Sequence, residues 1–389
     1  MSRLFFYVQH LLGIGHQRRA ATLTRAFMRS GFEVTFVSGG HDIPGLNLAG
    51  ARLAQLPPTR ATDLYFKNLV DEHDRPIDDD WKRRRVAALL DAWRAADPDV
   101  LLFELFPFGR RQMRFELMPL LDAATAAVRR PLIVSSVRDI LVGQHKPERN
   151  DEMVELVERW FDRVLVHGDP DLVPFERTFP HAARIRDRLH YTGYVVDETG
   201  RKGPPGSPGH GEVIVSAGGG AVGDALLKAA IRARALSSAC DLPWRVLVGI
   251  KVEAATFAEL AAMAPAGVIV ERARGDFPSL LMNGRLSISQ GGYNTVMEVL
   301  AAHIRAVVVP YAGGIETEQT LRATLLAGKG RLQVVDEKTM TPEAIAAAID
   351  RALVGPAPDA VGLKTDGAEE SARLLRQWLA RRHSAVQRG

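Results

Sequence analysis

The chain has almost no cysteine. Cys240 is the only one in 389 residues, which excludes an intramolecular disulfide and fits a reducing compartment. Long apolar runs are also missing, since no stretch approaches the roughly 18 residues that a membrane-spanning helix needs. The N-terminal segment is interrupted by Gln9 and His10 and has no small-residue cleavage site, so a signal peptide is not expected. These absences predict a cytoplasmic protein.

The sequence also lacks the patterns of nucleic-acid-binding proteins. No basic helix is interleaved with aromatic residues, and no zinc-knuckle spacing occurs. The charge balance is nevertheless basic, with 50 Lys and Arg against 46 Asp and Glu. Such a balance suits an anionic substrate or an anionic membrane surface. A hydrophobic content of 46% with 25% charged residues, at this length, predicts a globular protein of two domains.

Strand and helix patterns alternate on both sides of one proline- and glycine-rich segment. That segment, residues 198–211, is predicted to be a linker. The alternation predicts an α/β protein with two Rossmann-like domains, one at 1–197 and one at 212–366. Residues 367–389 contain an amphipathic helical pattern.

The most informative stretch is 286–323, where two loop-to-helix transitions follow one another. In the first, an apolar strand ends at Gln290, Gly291 and Gly292, and a helix begins near Asn294. The first turn of a helix has unpaired N–H groups and a positive dipole end, so a phosphate or diphosphate is the expected guest. Glu298, one turn inside, suits hydrogen bonds from sugar hydroxyls. The structural alternative is a capping box of Thr295 and Glu298.

The second transition follows the apolar strand 306–311 and a glycine loop. The helix after it opens with Glu318 and Gln319, an acid and an amide that can bind hydroxyl groups. The alternative is that acids enrich the first turn of any helix. Together, these two transitions predict a polar ligand site at one end of a parallel sheet.

These residues resemble the donor-sugar half-site of the MurG-like (family 28) glycosyltransferases of the GT-B superfamily. The resemblance rests on the motif Gly-Gly-x-x-Thr-x-x-Glu from 291 to 298, the strand ending in Pro310, and the acid–Gln pair at 318–319. It implies two Rossmann-like domains facing a central cleft, with the C-terminal helix packed back on the first. It also implies that Thr295 contacts the nucleotide diphosphate, Glu298 the ribose, and Glu318 with Gln319 the sugar.

The first half of the chain offers candidates for a catalytic base. A βαβ start places the turn with Gly13, Gly15 and His16 at the carboxyl end of the first strand, where parallel sheets bind ligands. A histidine there can deprotonate an acceptor hydroxyl or water. Glu104, at the end of the strand 99–103, is the second candidate. A helix-terminal histidine that only bonds backbone is the structural alternative.

The loop after Glu104 carries Arg110 and Arg111, and this predicts an anion site. In the GT-B interpretation these arginines, with Gly13 and Gly15, bind the acceptor. Surface arginines that pair with nearby acids such as Glu116 are the alternative.

After the linker, Gly218, Gly219 and Gly220 form a loop that formally matches a dinucleotide fingerprint. The acid expected after the next strand is missing, because Lys251 stands there, so NAD is not predicted. The resemblance instead implies that this loop approaches the nucleotide sugar and that Arg272 lies near its base.

No metal or other cofactor is predicted. The acids 78–80 follow no apolar strand, and Asp169 and Asp171 flank Pro170, which is typical of a turn.

The sequence thus predicts an inverting, metal-independent glycosyltransferase that uses a nucleotide-diphosphate sugar, UDP-linked by resemblance, and an unidentified hydroxyl acceptor. An anionic or lipid-linked acceptor and peripheral contact with the inner face of the membrane fit the basic charge. One alternative is a GT-B-fold nucleotide-sugar hydrolase or 2-epimerase, favoured by Gly-x-Gly-His-x-x-Arg at 13–19. The other is a non-catalytic nucleotide-sugar-binding protein.

Overall fold

A computed structural model gives the fold of the chain. It describes residues 1–12, 15–63, 66–141, 147–197, 200–218, 223–311, 313, 318–356, 358 and 364–386. The chain divides into two compact units. The first contains Met1–Asp197 together with Lys364–Gly389, and the second contains Glu198–Leu363.

The first unit contains a parallel sheet whose central strands are nearly continuous apolar runs. Such runs form strands that are buried on both faces. The strands of this sheet are β1 (Ser2–Val8), β2 (Phe32–Ser38), β3 (Arg52–Gln55), β6 (Val100–Glu104), β7 (Leu132–Arg138), β8 (Arg163–His167) and β9 (Leu189–Tyr191). Between β3 and β6, the short strands β4 (Arg60–Ala61) and β5 (Leu69–Val70) form a separate antiparallel pair. The order in the sheet is β3-β2-β1-β6-β7-β8-β9.

Helices cover both faces of this sheet. They are α1 (Gly15–Arg29), α2 (Asp79–Ala96), α3 (Arg114–Ala126) and α4 (Pro147–Trp160), with 3-10 turns at Arg111–Met113, Phe175–Arg177 and Pro180–Arg188. The acids 78–80 begin α2: the Asp78 side chain accepts a hydrogen bond from the Trp81 N–H at 2.7 Å. These acids therefore cap a helix.

The second unit has its own parallel sheet. Its strands are β10 (Val213–Ser216), β11 (Trp244–Val248), β12 (Val268–Arg272), β13 (Leu286–Gln290), β14 (Arg305–Val309) and β15 (Gln333–Val334), in the order β12-β11-β10-β13-β14-β15. Its helices are α5 (Asp224–Ala233), α6 (Ala254–Met263), α7 (Phe277–Asn283), α8 (Tyr293–Ala301), α9 (Glu318–Gly328) and α10 (Pro342–Val354), with 3-10 turns at Arg234–Leu236 and Glu337–Thr339.

The end of the chain returns to the first unit. Helix α11 (Gly367–Val386) packs on α1, and its apolar residues Leu375 and Trp378 belong to the same buried cluster as Leu23 and Phe27 of α1.

The segment that composition predicts to be a linker is docked on α7 in its described part. The Gly203 N–H donates to Asn283 Oδ1 at 2.9 Å, and Asn283 Nδ2 donates to the Pro208 carbonyl at 3.0 Å. Proline and glycine predict irregular backbone, but they do not show that the backbone is free.

Candidate functional site

The first group of polar residues lies where neighbouring strands of the first sheet end. Glu104 ends β6, Ser136 lies near the end of β7, and His167 ends β8. These strands are adjacent and parallel, so their carboxyl ends share one edge of the sheet. His16 enters the same group from the first turn of α1.

Glu104 is the centre of this group. Its side chain is fully buried and forms an ion pair with Arg19. Its Oε1 lies 2.9 Å from His16 Nδ1, and its Oε2 accepts a hydrogen bond from Ser136 Oγ at 2.9 Å. Burial alone would raise the pKa of Glu104, but the Arg19 charge and the His16 hydrogen bond outweigh it and hold the pKa well below its usual range. The carboxyl group is therefore an ionised acceptor.

His16 retains access to solvent, with 21% of its side chain exposed. Burial and the positive charge of Arg110 lower its pKa well below the ordinary value, against the opposing hydrogen bond to Glu104. The imidazole is thus neutral at neutral pH. Because ionised Glu104 accepts only, His16 Nδ1 carries the proton, and Nε2 presents a lone pair. Of the two base candidates, this geometry favours His16, since the proton affinity of Glu104 is too low for that role.

The two arginines of the predicted anion site, Arg110 and Arg111, lie in different environments. The Arg110 guanidinium is buried, donates from Nε to the Gln9 carbonyl at 2.7 Å, and has its pKa lowered to about 10 by burial, so it stays charged at pH 7. Arg111 is 59% exposed and lies 3.6 Å from Glu152. Arg110 is therefore the better placed of the two for the acceptor. Gly15 begins α1, and Gly13 lies outside the described residues.

A buried ionic network around Arg85 and Glu116 was not predicted from the sequence. Arg85 of α2 is fully buried and donates from Nε to Glu116 Oε2 at 2.6 Å and from Nη1 to the Gly39 carbonyl at 2.8 Å, and its Nη2 bonds the Gln9 side chain. The Tyr7 hydroxyl also bonds Glu116. The alternative in which arginines after Glu104 pair with a nearby acid holds for Arg111 and Arg114, but their partner is Glu152, because Arg85 occupies Glu116. This network holds the Gln9 side chain and the backbone at Gly39, which follow β1 and β2.

In the second unit, the two predicted loop-to-helix transitions are neighbours. Strands β13 and β14 are parallel, with Gln290 opposite Val309. Gly291 packs so closely that an added Cβ would lie 3.2 Å from Pro310 Cα and 3.3 Å from Gln319 Cβ. The side-chain Oε1 of Gln319 accepts a hydrogen bond from the Tyr311 N–H at 3.0 Å. The motif residues therefore meet in space.

Helix α8 begins without a side-chain cap among the described residues. Its N-cap is Gly292, which places Thr295 inside the first turn. The alternative of a Thr295–Glu298 capping box is therefore wrong, because a capping-box threonine must itself be the N-cap. Asn294, Thr295 and Glu298 are half-buried, while Val296 and Met297 between them are buried. This helix start combines N–H groups that lack acceptors inside the helix with accessible polar side chains.

Helix α9 presents its first residues differently. Glu318 is only 5% exposed, and its Oε1 accepts from Arg322 Nη2 at 3.1 Å. The Arg322 guanidinium lies 4.9 Å from the ring centroid of Tyr293, the first residue of α8. Arg322 thus links Glu318 of α9 to Tyr293 of α8. Gln319, the next residue, is half-buried and is therefore the more accessible of the two predicted sugar-binding residues.

The remaining predicted donor residues are partly described. Gly218 follows β10 with a φ of 79°, a conformation that favours glycine, while Gly219 and Gly220 lie outside the described residues. Arg272, at the end of β12, donates from Nη1 to the Gly249 carbonyl at 3.0 Å and the Val252 carbonyl at 2.7 Å, and its guanidinium stacks on Phe257. It fixes the loop after β11, and contact with a nucleotide base stays a prediction.

Within the described ranges, no group of three or more His, Cys, Asp or Glu side chains is arranged to hold a metal ion. Asp169 instead forms a turn, in which its Oδ1 accepts from the Asp171 N–H at 2.9 Å. Among the described helices, none has the length and apolar content to cross a bilayer.

Ser136, His167, Arg85 and Gln9 were missed by sequence reasoning. A local signal existed for two of them: Ser136 interrupts the apolar run of β7, and His167 ends the run of β8. Both lie on strands next to β6, which ends in Glu104.

Comparison with known proteins finds a family match in the C-terminal part of the chain. Residues 275–369 match the glycosyltransferase family 28 C-terminal domain. A UDP-N-acetylglucosamine–N-acetylmuramyl-(pentapeptide) pyrophosphoryl-undecaprenol N-acetylglucosamine transferase of Mesorhizobium japonicum is 34% identical over 103 residues, which are 26% of this chain and 28% of that protein. The protein of the same name from Rhodospirillum centenum is 32% identical over 83 residues, 21% of this chain and 22% of that protein. The matches thus span less than a third of these relatives.

Solved structures extend the likeness to the whole fold. Acinetobacter baumannii MurG has a TM-score of 0.61 at 16% identity and covers 96% of this chain and 99% of its own. The calicheamicin glycosyltransferase CalG4 has a TM-score of 0.60 at 19% identity, with 99% and 98% covered. The spinosyn rhamnosyltransferase SpnG, complexed with thymidine diphosphate, has a TM-score of 0.57 at 17% identity, with 98% and 96% covered. The predicted resemblance and fold are confirmed: the chain has the GT-B fold of these structures, and residues 275–369 match the C-terminal domain of family 28.

Proposed function

We propose that the protein is an inverting, metal-independent glycosyltransferase. In this proposal the second unit binds a nucleotide-diphosphate sugar and the first unit binds a hydroxyl acceptor. The observation that carries the proposal is the position of the family match, because residues 275–369 contain both helix starts of the second unit and the polar residues beside them.

The start of α8 supports the diphosphate part of the donor. Its first-turn N–H groups and dipole favour an anion without a metal. Charge that develops on the leaving nucleoside diphosphate would meet these groups near Asn294 and Thr295, in a position that lowers the transition-state energy. Glu298 then accepts hydrogen bonds from ribose hydroxyls, and Gln319 contacts the sugar.

The His16–Glu104 pair supports the acceptor part. A neutral imidazole with Nδ1–H bound to a carboxylate can accept a proton at Nε2, and the carboxylate stabilises the imidazolium that forms. The acceptor oxygen would attack the anomeric carbon as its proton moves to His16. The carbon–oxygen bond to the diphosphate breaks in the same step, so a single displacement inverts the anomeric centre.

The choice of nucleotide and acceptor rests on the relatives. The Mesorhizobium japonicum protein is named for a UDP-linked donor and a pyrophosphoryl-undecaprenol acceptor, whereas SpnG was solved with thymidine diphosphate. We assign a UDP-linked donor, because the sequence match favours the former. An anionic, lipid-linked acceptor reached at the membrane surface fits the charge of Arg110 and the basic balance of the chain.

Nucleotide binding tests the donor site. The thermal shifts produced by UDP, thymidine diphosphate and UDP-sugars would be measured on wild type, on Glu298→Ala, and on Glu259→Ala as a control at an exposed acid of α6. A ligand at 100 times its Kd stabilises by about 2.7 kcal/mol. We expect UDP compounds to shift wild type and Glu259→Ala, and Glu298→Ala to lose most of the shift. If Glu298→Ala responds like the control, the donor site is assigned wrongly.

Turnover without acceptor distinguishes the rival activity. The same His16 could activate water, and Arg19 lies in the pattern typical of nucleotide-sugar hydrolases. The transferase predicts that nucleotide release depends on an added acceptor. Release or epimerisation at an undiminished rate in its absence would establish the hydrolase or epimerase instead, and tight binding without any turnover would favour a binding protein.

A further inference from the structure

The hydrogen bonds around Glu104 continue into the sheet, away from His16. Ser136 Oγ lies 2.9 Å from Glu104 Oε2 and also 2.9 Å from His167 Nε2. His167 Nδ1 in turn lies 2.9 Å from Thr192 Oγ1. Ser136 and His167 are fully buried and Thr192 is 2% exposed. A continuous chain of polar atoms thus crosses three strands and ends at the partly accessible imidazole of His16.

The direction of this chain follows from the number of protons. Burial, followed by the charge of Arg19, lowers the pKa of His167 to about 3, so the ring is neutral and carries one proton. Ser136 has one hydroxyl proton, and the ionised Glu104 has none. If Ser136 donates to Glu104, His167 must donate from Nε2 to Ser136, and Nδ1 must accept from Thr192. All three contacts are then hydrogen bonds.

The opposite direction puts the His167 proton on Nδ1. His167 then donates to Thr192, whose hydroxyl donates to the Gly193 carbonyl at 2.8 Å, and Ser136 donates to His167. Glu104 Oε2 is left facing the lone pairs of Ser136 oxygen inside the fold. A hydrogen bond to a charged group is roughly twice as strong as one between neutral groups. The direction that bonds the carboxylate is therefore the more stable one.

We propose that His167, acting through Ser136, is a positioning residue that turns the Glu104 carboxylate toward His16 and thereby fixes the proton of His16 on Nδ1. His167 touches no substrate in this account. It anchors the second oxygen of the carboxylate, which leaves the first oxygen for Arg19 and His16. The inference rests on the proposed function only for its effect on rate, because the proton positions exist without any substrate.

Nitrogen-15 NMR of histidine side chains tests the proposal directly in the full-length protein. His16→Gln and His167→Gln assign the two rings among the 11 histidines. We expect His16 to be protonated on Nδ1 and His167 on Nε2. A proton on Nδ1 of His167 would overturn the proposal, whatever the enzymatic activity proves to be.

A matched pair of serine substitutions separates positioning from packing. Ser135 and Ser136 are neighbours on β7 and both are fully buried, but Ser135 Oγ has no hydrogen-bond partner among the described residues. Ser136→Ala should change both histidine spectra and reduce the transfer rate roughly tenfold, the equivalent of about 1.4 kcal/mol. Ser135→Ala should leave both unchanged. Equal effects of the two variants on the His16 spectrum would contradict the proposal.

The histidine spectra test the positioning role, and the transfer rate tests the proposed function, so the failure of one is distinguishable from the failure of the other. Expected spectra in a protein that transfers no sugar would sink the proposed function and leave the positioning role intact. Transfer activity that is unaffected by Ser136→Ala, with unchanged His16 spectra, would do the reverse. His167→Gln, which keeps an N–H donor, should retain more of the His16 signature than His167→Leu, which has none.

Discussion

The polar groups of the two units are built on different principles. The group in the first unit consists of buried charges: Glu104 and Arg19 form an ion pair, and Arg85 with Glu116 forms another. The group in the second unit consists of backbone at two helix starts, with glycine at the closest approach and half-buried polar side chains around it. Buried charges shift the pKa values of neighbouring groups such as His16. Backbone N–H groups do not titrate, so their attraction for an anion does not depend on pH. The difference fits the proposed division between acceptor activation in the first unit and donor binding in the second.

Removing a buried charge should cause the largest loss of stability. Arg85→Met removes the guanidinium that pairs with the buried Glu116 side chain, and it also removes the bonds to Gln9 and Gly39. Breaking such a pair costs about 3–5 kcal/mol. The control is Arg83→Met on the same helix, where the pair with Asp80 is exposed on both sides, and its expected change is within about 0.5 kcal/mol. Urea unfolding measures both, and similar midpoints would contradict the role given to Arg85.

Adding one methyl group should act mainly on the second unit. Gly291→Ala forces Pro310 or Gln319 to shift, which costs about 1–3 kcal/mol. An added Cβ at Gly292 meets no heavy atom of the described residues within 4 Å, so Gly292→Ala should cost at most about 1 kcal/mol. Its methyl group nevertheless occupies space beside the N–H groups that are proposed to bind the diphosphate. We therefore expect calorimetry to show weaker nucleotide binding for Gly292→Ala at nearly normal stability. Unchanged affinity would place the diphosphate elsewhere.

The pH dependence of the two units should differ, although this is the smallest effect. Burial and the charge of Arg110 lower the pKa of His16, so the wild-type value of kcat/KM should fall only well below pH 6.5. Arg110→Gln removes a positive charge that opposes protonation, so the pKa of His16 rises and the acid limb moves to higher pH. Nucleotide affinity should show no such shift. An acid limb that moves downward would contradict this electrostatic account.

The sequence predicted the parts of this molecule that follow local rules. Apolar runs predicted the strands, and the glycine–threonine–glutamate spacing predicted the start of α8, because strand and helix periods are local. The partners of Glu104 were not predicted: Arg19 lies 85 positions away and Ser136 lies 32 positions away. Such pairings depend on strand order, which no local period encodes. The pair of Glu318 with Arg322, four residues on in the same helix, has a local spacing that sequence analysis overlooked, and contact of Glu318 with a sugar stays a prediction.

The central claim is that one unit activates an acceptor and the other binds the donor. The most direct measurement is sugar transfer by His16→Ala, with nucleotide affinity determined on the same preparation. Loss of a general base should reduce kcat roughly 10²–10⁴-fold, and the Kd for the nucleotide should stay at the wild-type value. Undiminished transfer, or a parallel loss of nucleotide affinity, would contradict the account.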